Sequence, residues 1–407
     1  MIKILLLFLL FFPVVSISQT ENYWVKKSDF GSDTIGNGLK RERAVAFSID
    51  NFGYVGTGID TSETVLNDFW KYDQALNAWS QIATLPGSVR RNAIAFDANG
   101  KGYVGTGINT VNSSDFGSQT LNDMWEYNPS SNSWLQKAPY PAAAGIYFVT
   151  AFSSNSKGFL CGGKLGPNFY SDDLWEFNPI SNSWIQRLNF PGGVRYQMTS
   201  FAIDGIGYVG LGADNDLYRD DIHAYDPSTG QWQQKAPLPG SSRAGATGFS
   251  LGQRGYICMG TNGGLLGDLW QYNPFSNDWS VKANYGGSSR KNAVAFTIGN
   301  KAYVGTGKGN SGKKSSFYEY NPASIIGIDE LNSELSIYPN PVEDFLHLKN
   351  IPSSVEKLKI ISLDGQTVLT STITNKIDVS KISNGVYLLV AENAKGTLIS
   401  STKLNKQ

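Results

Sequence analysis

Histidine and cysteine are nearly missing from this chain: two of each stand among 407 residues. Two thiols cannot build the disulfide framework that small exported domains lean on, so stability has to come from burial. No Gly-x-Ser-x-Gly element, phosphate-binding glycine loop or zinc spacing occurs, and no cofactor or metal is expected. Charge is sparse as well. Charged residues make up 17% of the chain and the formal net charge is zero, whereas nucleic-acid binders need a basic face. A long hydrophobic run occurs only at the N-terminus. There Lys3 gives a positive start, Ile4 to Val15 an apolar core, and Ser16-Ile17-Ser18 a small-x-small cleavage pattern. This reads as a signal peptide over residues 1–18, because a run of about a dozen residues is short for a span of roughly 20. The mature chain is expected to carry no transmembrane segment.

Aromatic residues and glycine are abundant. Aromatics reach 13% and glycines number 44, one favouring strands and the other tight turns. Apolar residues alternate in short runs such as Ala44-Val45-Ala46-Phe47 and rarely follow a helical period, so the class is all-β. The stretch LNDMWEYNPSSNSW, Leu121 to Trp134, recurs as LNDFWKYDQALNAW, SDDLWEFNPISNSW, RDDIHAYDPSTGQW and LGDLWQYNPFSNDW about every fifty residues. Six sextets, at 53–58, 102–107, 158–163, 207–212, 255–260 and 302–307, set the frame. Each copy holds an apolar strand, the sextet strand, a D-x-W strand and a strand with a final Trp, which is one blade of a β-propeller. The sixth copy lacks its fourth strand, and Tyr23-Trp24-Val25-Lys26-Lys27 resembles that strand. The mature N-terminus is therefore expected to close a six-bladed ring over residues 19–324. The turns between third and fourth strands pair Asn/Asp-Pro with Asn or Gly, the latter suited to a left-handed position. All ten tryptophans fall within the scheme, and packing of blade on blade accounts for them without a sugar ligand.

On its Tyr/Phe-Val/Leu-x-Gly-Gly strand, N-D-x-W-x-Y strand and spaced Trp, the region 20–324 resembles the kelch-repeat propellers. It departs from them at the glycine doublet, kept only as Gly162-Gly163; elsewhere the first member is Thr57, Thr106, Leu211, Met259 or Thr306. The copper oxidase branch of such propellers needs two histidines at its site. With His223 in a Trp position of the fourth copy and His347 beyond the propeller, no such set can be assembled.

After Pro322 the pattern changes to a linker, 325–333, and then five to seven short strands over 334–407, sized for a small antiparallel sandwich. Tyr338-Pro339-Asn340-Pro341, Leu363-Asp364-Gly365-Gln366, Asn384-Gly385-Val386-Tyr387 and the Lys403/Lys406 tail resemble the type A C-terminal sorting domain of type IX secretion. An accessory immunoglobulin-like domain is the plainer alternative. The resemblance implies a Gram-negative exporter of the Bacteroidetes type, engagement of the type IX machinery and its sortase, and removal of the tail near 325–333. The product would be secreted or attached at the outer-membrane surface.

Candidate site residues come from the frame. The position six residues before the last Phe of each first strand holds Arg41, Arg90, Ile146, Arg195, Arg243 and Arg290. These arginines should gather at one mouth of the central channel, overhung by the loop Ile108–Leu121, on the face where Asp68, Asp123, Asp173, Asp221 and Asp268 begin the third strands. Two readings stay open and can coexist: a structural ring of Arg–Asp pairs, or a pocket for a carboxylate, acidic glycan or peptide, since Arg presents a fork of donors to carboxylates. Cys161 and Cys258, on equivalent strands two blades apart, are expected to be small buried fillers. The functional expectation is an exported module that binds a protein or glycan. The alternative is a carbohydrate enzyme resembling the sialic-acid mutarotases, which are six-bladed kelch propellers, with no catalytic residues assignable.

Overall fold

Period-two alternation governs the first unit. In each first strand the odd positions, such as Val45, Phe47 and Ile49, are buried between sheets, and the even ones face a central channel. The computed structural model describes residues 22–322 and 336–407, apart from 112–118, 143–144, 167, 216, 350, 352–354, 363–365 and 393–397. The signal segment, the 325–333 linker, Leu363, Asp364, Gly365 and half of the 108–121 loop thus lie outside the described residues. Two units separate at Pro322/Ala323, and among the described residues every regular element is a strand.

The first unit contains six four-stranded antiparallel sheets, here blades one to six. Their first strands are Val45–Ile49, Ile94–Ala98, Thr150–Ser154, Thr199–Ile203, Thr247–Leu251 and Val294–Ile298. Blade six is Val294–Ile298, Lys301–Gly305, Phe317–Asn321 and then Tyr23–Lys27, which pairs antiparallel with Phe317–Asn321. Closing the ring removes sheet edges that would otherwise pair with other chains.

Blade faces meet through a repeated contact in which the first-strand Phe of one blade covers a glycine of the next. A Cβ on Gly53, Gly102, Gly158, Gly207 or Gly255 would come within 2.1–2.2 Å of Phe296, Phe47, Phe96, Phe152 or Phe201 respectively. Close approach, not conformation, demands those glycines.

A second contact staples the outer rim. The fourth-strand Trp of each blade donates its indole N–H to the carbonyl four residues past the equivalent Trp of the preceding blade. Trp134 bonds Ala83, Trp184 Ala138, Trp232 Leu188, Trp279 Ala236, Trp24 Ala283 and Trp79 Ser28, at 2.8–3.4 Å. The left-handed Asn of the turn accepts from the N–H of that same residue: Asn132 from Ala83, Asn182 from Ala138, Asn277 from Ala236, Asn22 from Ala283 and Asn77 from Ser28. Four of these asparagines also accept from the third-strand tyrosine, as Tyr127 does to Asn132 at 3.0 Å. Blade four has Gly230 instead, at φ +71°. Glycine meets the conformation but supplies no carboxamide, and the buried Tyr225 hydroxyl is left unpartnered. Gly230→Asn should satisfy that hydroxyl and the Leu188 N–H together, raising stability by about 1 kcal/mol, as measured by urea unfolding.

The second unit is a sandwich of a three-stranded sheet (Ser336–Tyr338, Phe345–Lys349, Lys376–Asp378) and a four-stranded one (Thr367–Thr372, Lys357–Ser362, Gly385–Glu392, Leu398–Lys406). Leu346, Leu358, Ile360, Leu389 and Leu404 fill its core. The Asn of Tyr338-Pro339-Asn340-Pro341 holds the last strand. Its carboxamide donates to Lys403 O and accepts from Asn405 N, both at 2.8 Å.

Candidate binding site at the channel mouth

The arginine frame is an internal scaffold. Arg41, Arg90, Arg195 and Arg243 are at most 4% exposed, and each sets its guanidinium bidentately on the Asp that begins the third strand: Asp68, Asp123, Asp221 and Asp268. In blades one, two and five the indole of Trp70, Trp125 or Trp270 donates to the same carboxylate at 2.6–2.8 Å. Burial works to raise the pKa of Asp68, Asp123 and Asp268, but the guanidinium and indole bonds prevail and hold all three below the ordinary range.

Each arginine also donates through Nη1 to the carbonyl sixteen residues on: Thr57, Thr106, Leu211, Met259 and, from Arg290, Thr306. Those five acceptors are the residues that replace the first glycine of the doublet, and all five sit at φ between +57° and +63°. Left-handed backbone is costly for residues with a Cβ. The guanidinium holds the strained carbonyl in place. Blade three has Ile146 in place of arginine, and there the position is Gly162. Its Asp173 accepts from Gln186 instead, at 3.1 Å.

Two residues beyond the arginines lies a feature that the sequence reading missed. Arg43, Asn92, Phe148, Gln197, Gly245 and Asn292 all have φ between +53° and +61°. Each N–H bonds the carbonyl of its neighbour around the mouth, Asn92 to Arg43, Phe148 to Asn92, Gln197 to Phe148, Gly245 to Gln197, Asn292 to Gly245 and Arg43 to Asn292, at 3.0–3.2 Å. The six bonds close on themselves. Strained backbone of this kind persists where the surroundings over-determine it and clusters at functional sites. The signal was present in the repeat: after each arginine position the next two residues read Glu-Arg, Arg-Asn, Tyr-Phe, Tyr-Gln, Ala-Gly and Lys-Asn, a variable pair on a constant frame.

Chemically this collar has two sides. On one, Arg43, Arg91 and Lys291 lie together around Glu42, which accepts from Asn292 at 3.0 Å. Burial, with Arg43 nearby, pulls the Arg91 guanidinium down to about 10, and burial first, then Arg43, lowers Lys291. On the other side, Tyr196 stacks on Tyr170 at 5.2 Å, Lys164 lies over the Tyr196 ring at 4.1 Å, and Phe148 stands 6.0 Å from Tyr196. Arg43 reaches across to the Phe148 ring at 5.4 Å. Between them Asn92, only 6% exposed, has both carboxamide atoms buried without a partner.

The channel holds an open cavity of about 200 Å³ walled by small first-strand residues such as Ala46, Ser48, Ser153 and Ser250. Asp97 is the ionisable group in that wall; its carboxyl is open to the channel, but enclosure by the surrounding strands pushes its pKa up to about 6. His223 fills its Trp position against Phe190 with centroids 5.1 Å apart, and burial lowers its pKa. Cys161 and Cys258 are buried free thiols, pushed up by that burial. Among the described residues no group of acidic, His or Cys side chains is arranged to hold a metal.

The fold so defined is a β-propeller followed by a small C-terminal sandwich. Residues 336–404 match the family described as "Secretion system C-terminal sorting domain", the sorting domain of type IX secretion. This makes the chain an exported protein, secreted or attached at the outer-membrane surface, and a partner of the type IX machinery. For the propeller, the solved structure titled "Structure of YjhT" is similar in fold, with a TM-score of 0.57 at 18% identity over 69% of this chain and 94% of that one. A search of curated proteins finds no match.

Proposed function

We propose that the propeller is an exported binding module that takes an acidic glycan at the channel mouth, delivered by the sorting domain and its sortase after loss of the N-terminal signal segment. The observation that carries this reading is the unpartnered Asn92 carboxamide, buried between the Arg43–Arg91 side and the Phe148–Tyr196 side of a strained collar. Buried polar groups call for a hydrogen-bonding partner, and hydroxyl-rich ligands supply one. Aromatic faces beside cations match a sugar ring that bears a carboxylate. Four of the five frame arginines support this surface from beneath, since their forks are engaged by aspartates.

Glycan-array binding of the mature chain tests the idea, with Phe148→Gly as the diagnostic variant. Glycine suits the left-handed φ of +58° at Phe148, so folding stability should hold while glycan affinity falls at least about tenfold. Unchanged binding by Phe148→Gly, or a preference for neutral sugars, would defeat the reading. Asp97, among the described residues the one ionisable side chain lining the channel cavity, favours mutarotase-like chemistry as a second reading, and NMR of sialic-acid anomer exchange in the presence of the protein decides it.

A further inference from the structure

Blade six breaks the arginine frame in a way that creates a site of its own. Arg290 is as buried as its four counterparts, at 1% exposed, and keeps the carbonyl bond to Thr306 at 2.9 Å and a bond from Nε to Ser288 O at 3.0 Å. The third strand of blade six, however, begins with Ser316, not aspartate. Arg290 Nη2 therefore meets only hydroxyls, Ser316 Oγ at 3.1 Å and Ser288 Oγ at 3.4 Å. Among the described residues no carboxylate forms an ion pair with Arg290. Asp29 accepts from Gly36 N and Ser315 Oγ through Oδ2, while its buried Oδ1 takes no hydrogen bond and forms no ion pair with Arg290. Tyr285 lies over the guanidinium at 4.9 Å and closes its inner side. Ser288 is exposed and Ser316 partly so, so the buried guanidinium is screened from solvent on this side by the two serines.

A guanidinium withdrawn from water without a counter-charge is costly, and neutral acceptors offset only part of that cost. The other four frame arginines show what geometry relieves it: a carboxylate accepting Nη1 and Nη2 side by side. We infer that blade six binds a carboxylate from solution at Arg290, with Ser288 and Ser316 as additional donors, in the position that an aspartate side chain holds in blades one, two, four and five. The shared chemistry is a monocarboxylate, either a free small acid or the acid group of a sugar. This site is distinct from the collar, and the two are told apart by Ser316→Asp, which leaves the collar untouched: only the part of a response to either acid that this variant loses is counted to Arg290.

The experiment is thermal melting of the full chain against sodium formate and, separately, sodium glucuronate, at constant ionic strength. The wild-type melting temperature should rise and saturate with formate. Ser316→Asp, which supplies the carboxylate from within the chain, should melt higher and lose the response. The Ser288→Ala/Ser316→Ala double variant keeps the fold independent of any new charge and should need at least fivefold more formate for half of the effect. Glucuronate acting at lower concentration than formate assigns the site to sugar acids, and the reverse order assigns it to small free acids. A wild type that ignores both, or a formate response equal in wild type and Ser316→Asp, overturns the inference.

Discussion

Trp24→Ala is expected to cost about 3–5 kcal/mol, a large part of the roughly 5–15 kcal/mol that holds a domain together. Trp24 packs on Tyr285 and Tyr320 at 5.0 and 4.9 Å and bonds Ala283 O, so its loss strikes the seam where the chain's two ends meet. Removal of residues 22–27 altogether should leave blade six as three strands with an open edge, and urea unfolding should show the midpoint collapsing together with self-association. A truncated chain that melts like wild type would mean the seam does not close the ring. The same seam sets an acid limit. Burial works to raise Glu319, but bonds from Lys27, Lys301, Asn321 and Tyr303 outweigh it and hold the carboxyl down to about 2. A depressed carboxylate contributes stability that is present above its unfolded value and lost as pH falls through its folded one. Stability from this group should therefore drain away between about 4.5 and about 2, so the fall of the urea midpoint across that window, measured at stepped pH, should be smaller in Glu319→Gln than in wild type.

Arg90→Ala is the second large effect, again about 3–5 kcal/mol, because it leaves the Asp123 carboxylate with the Trp125 indole in place of a guanidinium fork and releases the strained Thr106 carbonyl. Two comparisons separate these causes. Arg90→Ala with Thr106→Gly should recover part of the loss, since glycine adopts the φ of +59° without a guanidinium to hold it, as Gly162 does in the blade that has no arginine. Arg290→Met should cost clearly less than Arg90→Met, because no aspartate is left behind. Equal losses at the two positions would refute the view that the pairing itself is what stabilises.

These contrasts show what could be read from the sequence and what could not. The strand order, the chain-end strand and the sandwich were legible because burial imposes period-two alternation and the tryptophan spacing marks each fourth strand. One further marker went unread. Six residues past each fourth-strand Trp stands a buried apolar residue, Leu85, Tyr140, Phe190, Leu238, Tyr285 and, after Trp24, Phe30, which sets the N-terminal strand in the same frame. The arginine positions were legible as a pattern, but the side to which they turn was not, since a one-residue change of register moves a side chain to the opposite face. The left-handed collar was hidden for a different reason. Left-handed φ is usually signalled by glycine or asparagine, and here Arg43, Phe148 and Gln197 adopt it because a closed set of backbone bonds leaves them no alternative.

Gly230 has a consequence for how the wheel comes apart. Four neighbouring rims are clamped through an asparagine, and the chain-end rim is clamped through Asn22, but the outer rim between blades three and four has the Trp232 indole bond without an asparagine clamp. The covalently continuous boundary is thus weaker in this respect than the one formed by two distant chain segments. Transient breathing of the native molecule should begin there, with amides of Gln231–Lys235 exchanging with solvent sooner than those of Tyr23–Lys27.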